Sequence, residues 1–305
     1  MNFEEIQMTK IAWYYYMEEM TQQQIADVLG ISRLRVIKLL EKARAQGIIQ
    51  FKIRNNALGR LKTETDLAKK YSLKDVFTAP SVTGRPQDMD RAAENLAAAA
   101  AAYIADRITK GDFINFGYGN TVSKVINRLA MTSEYPFSCV SLTGGVNYYL
   151  PNTTSSTFNA KLYLIPMPLV ASTGEMAEAM RNEKSVRDIT NMISHSLLTV
   201  VGVGSMDESA TVIKEGILAK NDFLIMKMNG AVGDILSHFI DKDGKIIPSP
   251  IEERLISAPL SALNKLRNVI GVAGGEEKIE AIRAALSGGY IDILITDEDT
   301  AAGLL

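Results

Sequence analysis

Four short glycine-rich runs carry most of the groups in this chain that could do chemistry. They are GYGNT (117–121), TGGVN (143–147), GVGS (202–205) and AGGEEK (273–278), following the apolar stretches DFINF, FSCVSL, LLTVV and NVIGV. Glycine lets backbone N–H groups approach an anion closely, and a helix N-terminus placed after such a loop favours negative charge. Groups suited to a phosphorylated polyol stand beside them. Asn120 and Thr121 offer an amide and a hydroxyl, Lys278 an ammonium beyond Gly274–Gly275, and Asp234, in GAVGD after two flexible glycines, a carboxylate for sugar hydroxyls. The chemistry indicated is non-covalent recognition of a small phosphorylated ligand. Each part also has a plainer reading: tight strand-to-helix turns use glycine for steric reasons, Lys278 alone is a solvated helix residue, and Asp234 caps a turn.

Bond-making chemistry has little to work with. His195 sits in the helical pattern NMISHSLL and His238 in a hairpin-like segment, and both read as structural. Cys139 lies mid-strand with no evident base, against a nucleophile role. No His/Cys/Glu grouping has metal-ligand spacing, and DKDG (241–244) opens like a calcium loop but lacks the later ligands, so it reads as a tight turn. Gly117-x-Gly119 lacks the third glycine of a dinucleotide fingerprint, and no Walker A loop is present. No metal and no cofactor is expected.

The elements that would position the loops alternate between helix and strand. Helices are expected at 60–71, 89–108, 121–131, 184–196 and 276–287, with a short one at the end. Strands are expected at 75–79, 112–116, 137–142, 162–167, 197–203, 268–273 and 291–296, and a hairpin over 237–248. This alternation predicts an α/β domain with a parallel sheet, in which ligands bind at the carboxyl ends of the strands. The four loops then share one edge and run into helices.

A second set of residues has a spacing of its own. From Gln22 to Leu39 (QQQIADVLGISRLRVIKL), Ala26 takes the fifth place, Gly30 the ninth and Val36 the fifteenth, with Ile25, Leu29, Ile31 and Leu39 between. Two short helices that cross steeply need a small side chain at their contact, and their tight turn needs a residue that accepts positive φ. Ser32 is a good N-cap for the second helix, which presents Arg33, Arg35 and Lys38 outward. This is a helix-turn-helix pattern, and it makes Gln22, Ser32, Arg33, Arg35 and Lys38 the DNA-contact candidates. The plainer reading of the three cations is a solvated face. A helix at about 4–18 precedes the motif, Thr21 caps its first helix, Gly47 ends its second, and IIQFKI (48–53) alternates like a wing strand. Turn chemistry in RNNALGR (54–60) places the domain boundary, giving a head of 1–54 and a larger domain of 55–305.

Charge follows that division. Residues 31–54 hold seven Lys/Arg against the single acid Glu41, whereas 55–305 hold 25 basic and 29 acidic side chains, and the net charge is only −2. A basic face on a small module joined to a mildly acidic body fits a DNA-reading head on a sensor. A single cysteine excludes an internal disulfide framework and fits a reducing compartment. The acidic start MNFEEIQ is not a secretory signal and the Ala-rich run near 92–102 is a helix former, so a cytoplasmic protein without a membrane partner is expected.

The run KIAWYYYMEEMTQQQIADVLGISRLRVIKLLEKARAQGII resembles the head of the SorC family of bacterial sugar-responsive transcription regulators. GYGNT, SLTGG, GVGS, GAVGD, GVAGGEEK, GGYI and ITDEDTA are similar to that family's effector domain, so the resemblance spans essentially the whole chain. Within the family it resembles most the members that sense phosphorylated autoinducer-2, the LsrR type. The resemblance implies a winged helix-turn-helix head, a sugar-phosphate-isomerase-like, Rossmann-like α/β effector domain, and assembly as a homo-oligomer, dimer or tetramer. It implies operator DNA and a phosphorylated sugar or polyol effector as partners. Carried over position by position, the effector meets Tyr118, Gly119, Asn120 and Thr121, then Thr143 and Asp234, with Lys278 at the phosphate; Asn152 is a weaker match. Relatives that bind sugar bisphosphates have an arginine in the second loop; TGGVN has none, which implies a monophosphate or polyol. The expected function is a transcription regulator, by family preference a repressor, of a carbohydrate or polyol operon. The alternative is a sugar-phosphate isomerase fused to a helical head, with Asp234 as its one proton-transfer candidate.

Overall fold

The computed structural model describes residues 3–49, 55–82, 88–145, 149, 159–207, 210–214 and 216–305. The chain divides into two compact units, Met1–Leu58 and Gly59–Leu305. The smaller is built on α1 (Phe3–Tyr16), α2 (Gln22–Leu29) and α3 (Arg33–Ala45). Thr21 opens α2 with a capping box: its hydroxyl accepts from the Gln24 N–H, and its own N–H donates to Gln24 Oε1 at 2.9 Å. Gly30 then adopts φ 64° and its N–H donates to Ala26 O. Ser32 restarts helical geometry by accepting the Arg35 N–H at 3.2 Å. Ala26 and Val36 are buried in a core completed by Met8, Ile11, Ile25, Leu39, Leu40 and Ala43. Gly47 turns the chain at φ 73°. Of the expected wing, Ile48 and Ile49 are bends packed on this core, and residues 50–53 lie outside the described residues.

The helices that follow the head are α4 (Asn55–Tyr71), α5 (Asp88–Ala105), α6 (Asn120–Thr132), α7 (Gly174–Asn182), α8 (Lys184–Met192), α9 (Thr211–Lys214), α10 (Lys220–Met228), α11 (Pro250–Arg254), α12 (Leu260–Leu263), α13 (Ile279–Ser287) and α14 (Glu298–Leu304). The strands of the main sheet are β1 (Asp75–Ala79), β2 (Phe113–Phe116), β3 (Phe137–Ser141), β4 (Ala160–Tyr163), β5 (Leu198–Val201), β9 (Val269–Val272) and β10 (Ile293–Asp297). They are all parallel, in the order β1-β10-β9-β5-β2-β3-β4. A small antiparallel sheet joins β6 (Gly204–Ser205), β7 (Gly233–Ile235) and β8 (His238–Ile240).

Side chains of the main sheet alternate between two apolar layers. Ile114, Phe116, Cys139, Val200, Ile270 and Ile295 pack with residues of α5 and α6, whereas Val140, Val201, Val269 and Leu294 pack with residues of α13 and α14. With both faces covered, FSCVS and LTVV are buried throughout and show no polar alternation. Asn115, wholly buried in β2, is paired with Thr199 of β5. Its amide donates to Thr199 Oγ1 and Ile193 O, both at 3.0 Å, and its oxygen accepts from Ser196 Oγ at 2.6 Å. A buried amide satisfied on both ends fixes this register.

Several elements differ from expectation. α4 runs through the turn-prone residues 55–60, because Gly59 stands in open space and nothing there forces the helix to break. The expected helix 184–196 is α8 followed by a 3-10 turn, and α7 precedes it. The hairpin expected over 237–248 lies earlier, β7 and β8 being joined by Leu236 and Ser237 at φ 54° and 67°. DKDG forms a second tight turn, in which Asp241 Oδ1 accepts the N–H groups of Asp243 and Lys245 at 2.9 Å. Among the described residues no helix is long and apolar enough to cross a membrane.

Gly30→Ala places a β-carbon on a residue held at φ 64°. It is expected to lower stability by about 1 kcal/mol, and Gly30→Asn by less, since asparagine tolerates left-handed backbone. Urea denaturation followed by circular dichroism checks this; equal losses for both variants would remove the conformational explanation.

Candidate functional site

The chain changes direction across the sheet between β2 and β5. From β2 it moves outward to β3 and β4, and from β5 it moves the other way, to β9 and β10. At such a point the loops leave the carboxyl ends of two neighbouring strands toward opposite sides and open a crevice. The loops concerned are 117–121 and 202–205, and they lie against each other. Gly117 N–H donates to Val200 O at 2.8 Å, and a β-carbon on Gly202 would lie 3.4 Å from Val122 Cγ2 and 3.9 Å from Tyr118 O. Gly119, at φ 126°, is the N-cap of α6 and offers no side-chain cap to that 13-residue helix, whose first two residues are Asn120 and Thr121. Its leading N–H groups and its dipole therefore favour an anion. Tyr118 beside it is buried.

GVGS does not lead into a helix. Gly204 pairs antiparallel with Asp234 across β6 and β7, and a β-carbon on Gly204 would fall 2.0 Å from Asp234 Oδ1. The glycine leaves room for a carboxylate. Gly233 likewise serves close packing, because its β-carbon would meet Ala281 Cβ at 2.4 Å. Asp234 is thus a buried strand residue whose Oδ2 accepts the Ser237 N–H at 3.1 Å. Burial pushes its pKa up to about 6, against the opposing pull of the Ser237 N–H, Lys278 and His238. Lys278 ends the 3-10 turn Glu276–Lys278. Burial lowers its pKa, while Glu277, Asp234 and Asp207 favour its charge. An acid and a base are thus each pushed toward neutrality within electrostatic reach of one another, an arrangement a phosphate and a hydroxyl would relieve.

The other two loops contribute differently. Gly275 N–H donates to Asp297 Oδ2 at 3.0 Å and to Thr300 Oγ1 at 2.7 Å, so its amide is engaged inside the protein. Thr143 is fully buried; its hydroxyl donates to Gly144 O at 2.9 Å and lies 2.7 Å from the Tyr149 hydroxyl. Thr143 also bridges to Ser257, whose Oγ donates to Leu236 O at 2.9 Å, linking the second loop to the β7–β8 turn. Residues 146–148 and Asn152 lie outside the described residues.

Of the groups that hold the site, the sequence marks His238 as structural and leaves Asp297 and Asp207 unmentioned. His238 is buried with Nδ1 2.7 Å from Glu252 Oε1 and Nε2 3.0 Å from Ala258 O, which anchors the segment carrying Ser257. Asp297 caps α14 through the Thr300 N–H, a signal readable in the D-x-x-T of ITDEDT. Asp207, near Lys278, has no motif to mark it. His195 is exposed in its 3-10 turn, and burial raises the pKa of the Cys139 thiol. Among the described residues no cluster of three His, Cys, Asp or Glu could hold a metal ion.

On the head, Arg33, Arg35 and Lys38 are exposed along α3 and make no ion pair among the described residues. Lys42 and Arg44, in the same basic run, are engaged: Lys42 Nζ lies 2.6 Å from Glu4 Oε2, and Arg44 Nε donates to Tyr16 Oη at 3.0 Å. Gln22 and Arg33 line one open hollow of about 650 Å³ together with Tyr15, Glu19, Met20, Thr21 and Gln23. Leu34, exposed between Arg33 and Arg35, is an apolar group the motif does not announce.

Asp234 binds its proton more tightly folded than unfolded, so ionising it costs stability as pH rises from about 4 to about 6, on the order of 3 kcal/mol in full. Asp234→Asn removes that titration. The stability of the wild type relative to the variant is expected to fall between pH 4 and about pH 7 in urea denaturation. A difference independent of pH would contradict a desolvated carboxylate.

Residues 55–305 match the family model described as "Putative sugar-binding domain", and residues 5–46 match that of sigma-70 region 4. The transcriptional regulator LsrR of Escherichia coli K12 is 37% identical over 306 residues, which cover 99% of this chain and 95% of that protein. LsrR of Enterobacter sp. strain 638 is 34% identical, with 99% and 93% covered. The crystal structure of the full-length sorbitol operon regulator SorC from Klebsiella pneumoniae matches with a TM-score of 0.68 and 26% identity, covering 97% of both chains. With a helix-turn-helix followed by a sugar-binding domain, this chain is a transcription regulator and belongs to the SorC family.

Proposed function

We propose that the chain represses a carbohydrate or polyol utilisation operon under the control of a small phosphorylated sugar or polyol. The observation that carries this reading is the convergence, where β2 and β5 diverge, of a helix N-terminus without a side-chain cap, the buried Asp234 and the half-buried Lys278. The leading N–H groups of α6, the side chains of Asn120 and Thr121, and Lys278 take the phosphate oxygens. Asp234 accepts from a ligand hydroxyl, Tyr118 and Gly119 shape the floor, and Thr143 acts by holding the second loop to the β7–β8 turn. The name of the Klebsiella relative, a sorbitol operon regulator, supports a polyol or carbohydrate operon.

Residues 1–54 read operator DNA in this proposal, and residues 55–305 bind the effector and assemble a cytoplasmic homo-oligomer. Arg33, Arg35 and Lys38 lie at the groove, with Leu34 available for a thymine methyl, and Gln22 and Ser32 contribute at the backbone. The protein works without a cofactor and without turnover. Proton transfer by Asp234 would need a partner acid or base, and both nitrogens of the neighbouring His238 face Glu252 and Ala258.

Two measurements test this. In a thermal-shift screen, sugar or polyol monophosphates are expected to raise Tm while their unphosphorylated counterparts do not, and Lys278→Met is expected to weaken the effective ligand at least ten-fold. Equal shifts with and without phosphate would refute the anion site. Arg35→Ala is expected to weaken binding to the chain's own promoter about ten-fold and to reduce the slope of log affinity against log salt by about one. Unaltered affinity and slope would remove Arg35 from the interface.

A further inference from the structure

β7 and β8 pair through Ile235 and His238 and are joined by just Leu236 and Ser237, both at positive φ, 54° and 67°. Two-residue hairpin turns of this kind favour Asn-Gly or Gly-Gly, because glycine enters the left-handed region without steric cost. Here both residues carry a β-carbon. Leu236 has a packing reason: a β-carbon on Gly117 would fall 2.7 Å from its Cδ2, so its side chain fills the space that this glycine leaves beside the loop after β2. Serine offers no such apolar filling. Ser237 is 2% exposed, and its Oγ is closed to solvent with no hydrogen-bond partner among the described residues. A buried hydroxyl without a partner and a left-handed backbone both cost stability, and glycine at this place would avoid both.

Asp234 stands beside that hydroxyl. Its Oδ2 accepts the Ser237 N–H at 3.1 Å, whereas its Oδ1 accepts no hydrogen bond among the described residues. Covalent geometry keeps Ser237 Oγ within roughly 7 Å of that Oδ2 in any rotamer. The turn also sits among the loops of the crevice. Leu236 meets the loop after β2, and its carbonyl accepts from Ser257 Oγ, a residue that bridges to Thr143 in the loop after β3. We propose that the Ser237 hydroxyl is a specificity-determining ligand contact of the crevice, donating to one ligand hydroxyl while Asp234 Oδ1 accepts from the neighbouring one. It reaches the ligand by rotation about Cα–Cβ, with no backbone movement. The effector then carries two adjacent hydroxyls besides its phosphate. A hydroxyl that costs stability in the ligand-free protein is retained because a site built to bond a ligand hydroxyl rejects analogues that lack it. The inference rests on the effector site proposed above and extends it on its hydroxyl side.

A thermal-shift titration of the full chain separates the two ends of the ligand. Ribose 5-phosphate, fructose 6-phosphate, glucitol 6-phosphate and glycerol 3-phosphate each present adjacent hydroxyls with one phosphate, whereas inorganic phosphate presents the anion alone. Ser237→Ala and Ser237→Gly are each expected to keep or raise the ligand-free Tm. Each is expected to weaken the most effective polyol phosphate about five-fold, the loss of one neutral hydrogen bond, while inorganic phosphate binds as it does to the wild type. Unchanged affinity for the polyol phosphate in both variants would overturn the role of Ser237 and leave the phosphate site standing. A lower ligand-free Tm with unchanged ligand affinity would make the hydroxyl structural, and equal weakening of inorganic phosphate would make its effect indirect; either result overturns the proposal. If none of the probes shifts the wild-type Tm, the effector site and the role of Ser237 fall together.

Discussion

The pairing of β2 with β5 is the constraint on which the sensor unit rests. These strands are neighbours in space but separated by some eighty residues of chain, so their register cannot be set by a turn; the Asn115–Thr199 and Asn115–Ser196 hydrogen bonds set it. A slip of one residue would turn the Asn115 amide into an apolar layer and leave its donors and acceptor unpaired, at a cost of a few kcal/mol. With the register fixed, the loops after the two strands must diverge at one edge. Everything proposed for ligand recognition follows from that edge: α6 begins there, β6 leaves from there, and β6 brings Asp234 with it.

Asp234 and Lys278 give the edge its electrostatic character. Each is desolvated, and each is favoured in its charged form by the other. Such a pair contributes little to stability, because removing two charges from water offsets their attraction. Its value lies in the response to a ligand. A phosphate that neutralises Lys278, with a hydroxyl that donates to Asp234, gains interactions the empty site lacks, and only such a gain can shift an equilibrium between forms of the protein.

Much of this was legible in the sequence. The helix-turn-helix could be read because its constraints are local: Ala26, Gly30, Ser32 and Val36 each answer to residues within one turn or one helix. The strands β1, β2, β3, β5, β9 and β10 were readable as apolar runs between helices, and the glycine loops showed which edge matters. What escaped was set by distant partners. Gly204 and Gly233 look like flexible loop glycines until Asp234 and Ala281 are seen to fill the space beside them. Thr143 resembles an open ligand group, yet its hydroxyl is enclosed by Tyr149 and Gly144. His238 and Glu252 have no shared motif, since nothing local tells that a strand residue meets a helix fourteen positions later. The run 55–60 misled because turn-prone composition does not prevent a helix when no glycine there needs positive φ.

The central claim is that occupancy of the crevice at β2 and β5 decides how well α3 holds DNA. Its most direct test is fluorescence anisotropy of a labelled fragment of the chain's own promoter, titrated at one fixed salt concentration with and without a saturating sugar or polyol monophosphate. The account predicts that the ligand changes the Kd for DNA at least five-fold, about 1 kcal/mol of coupling, and that Lys278→Met abolishes the change while leaving ligand-free affinity intact. An unchanged Kd with the ligand demonstrably bound would contradict it.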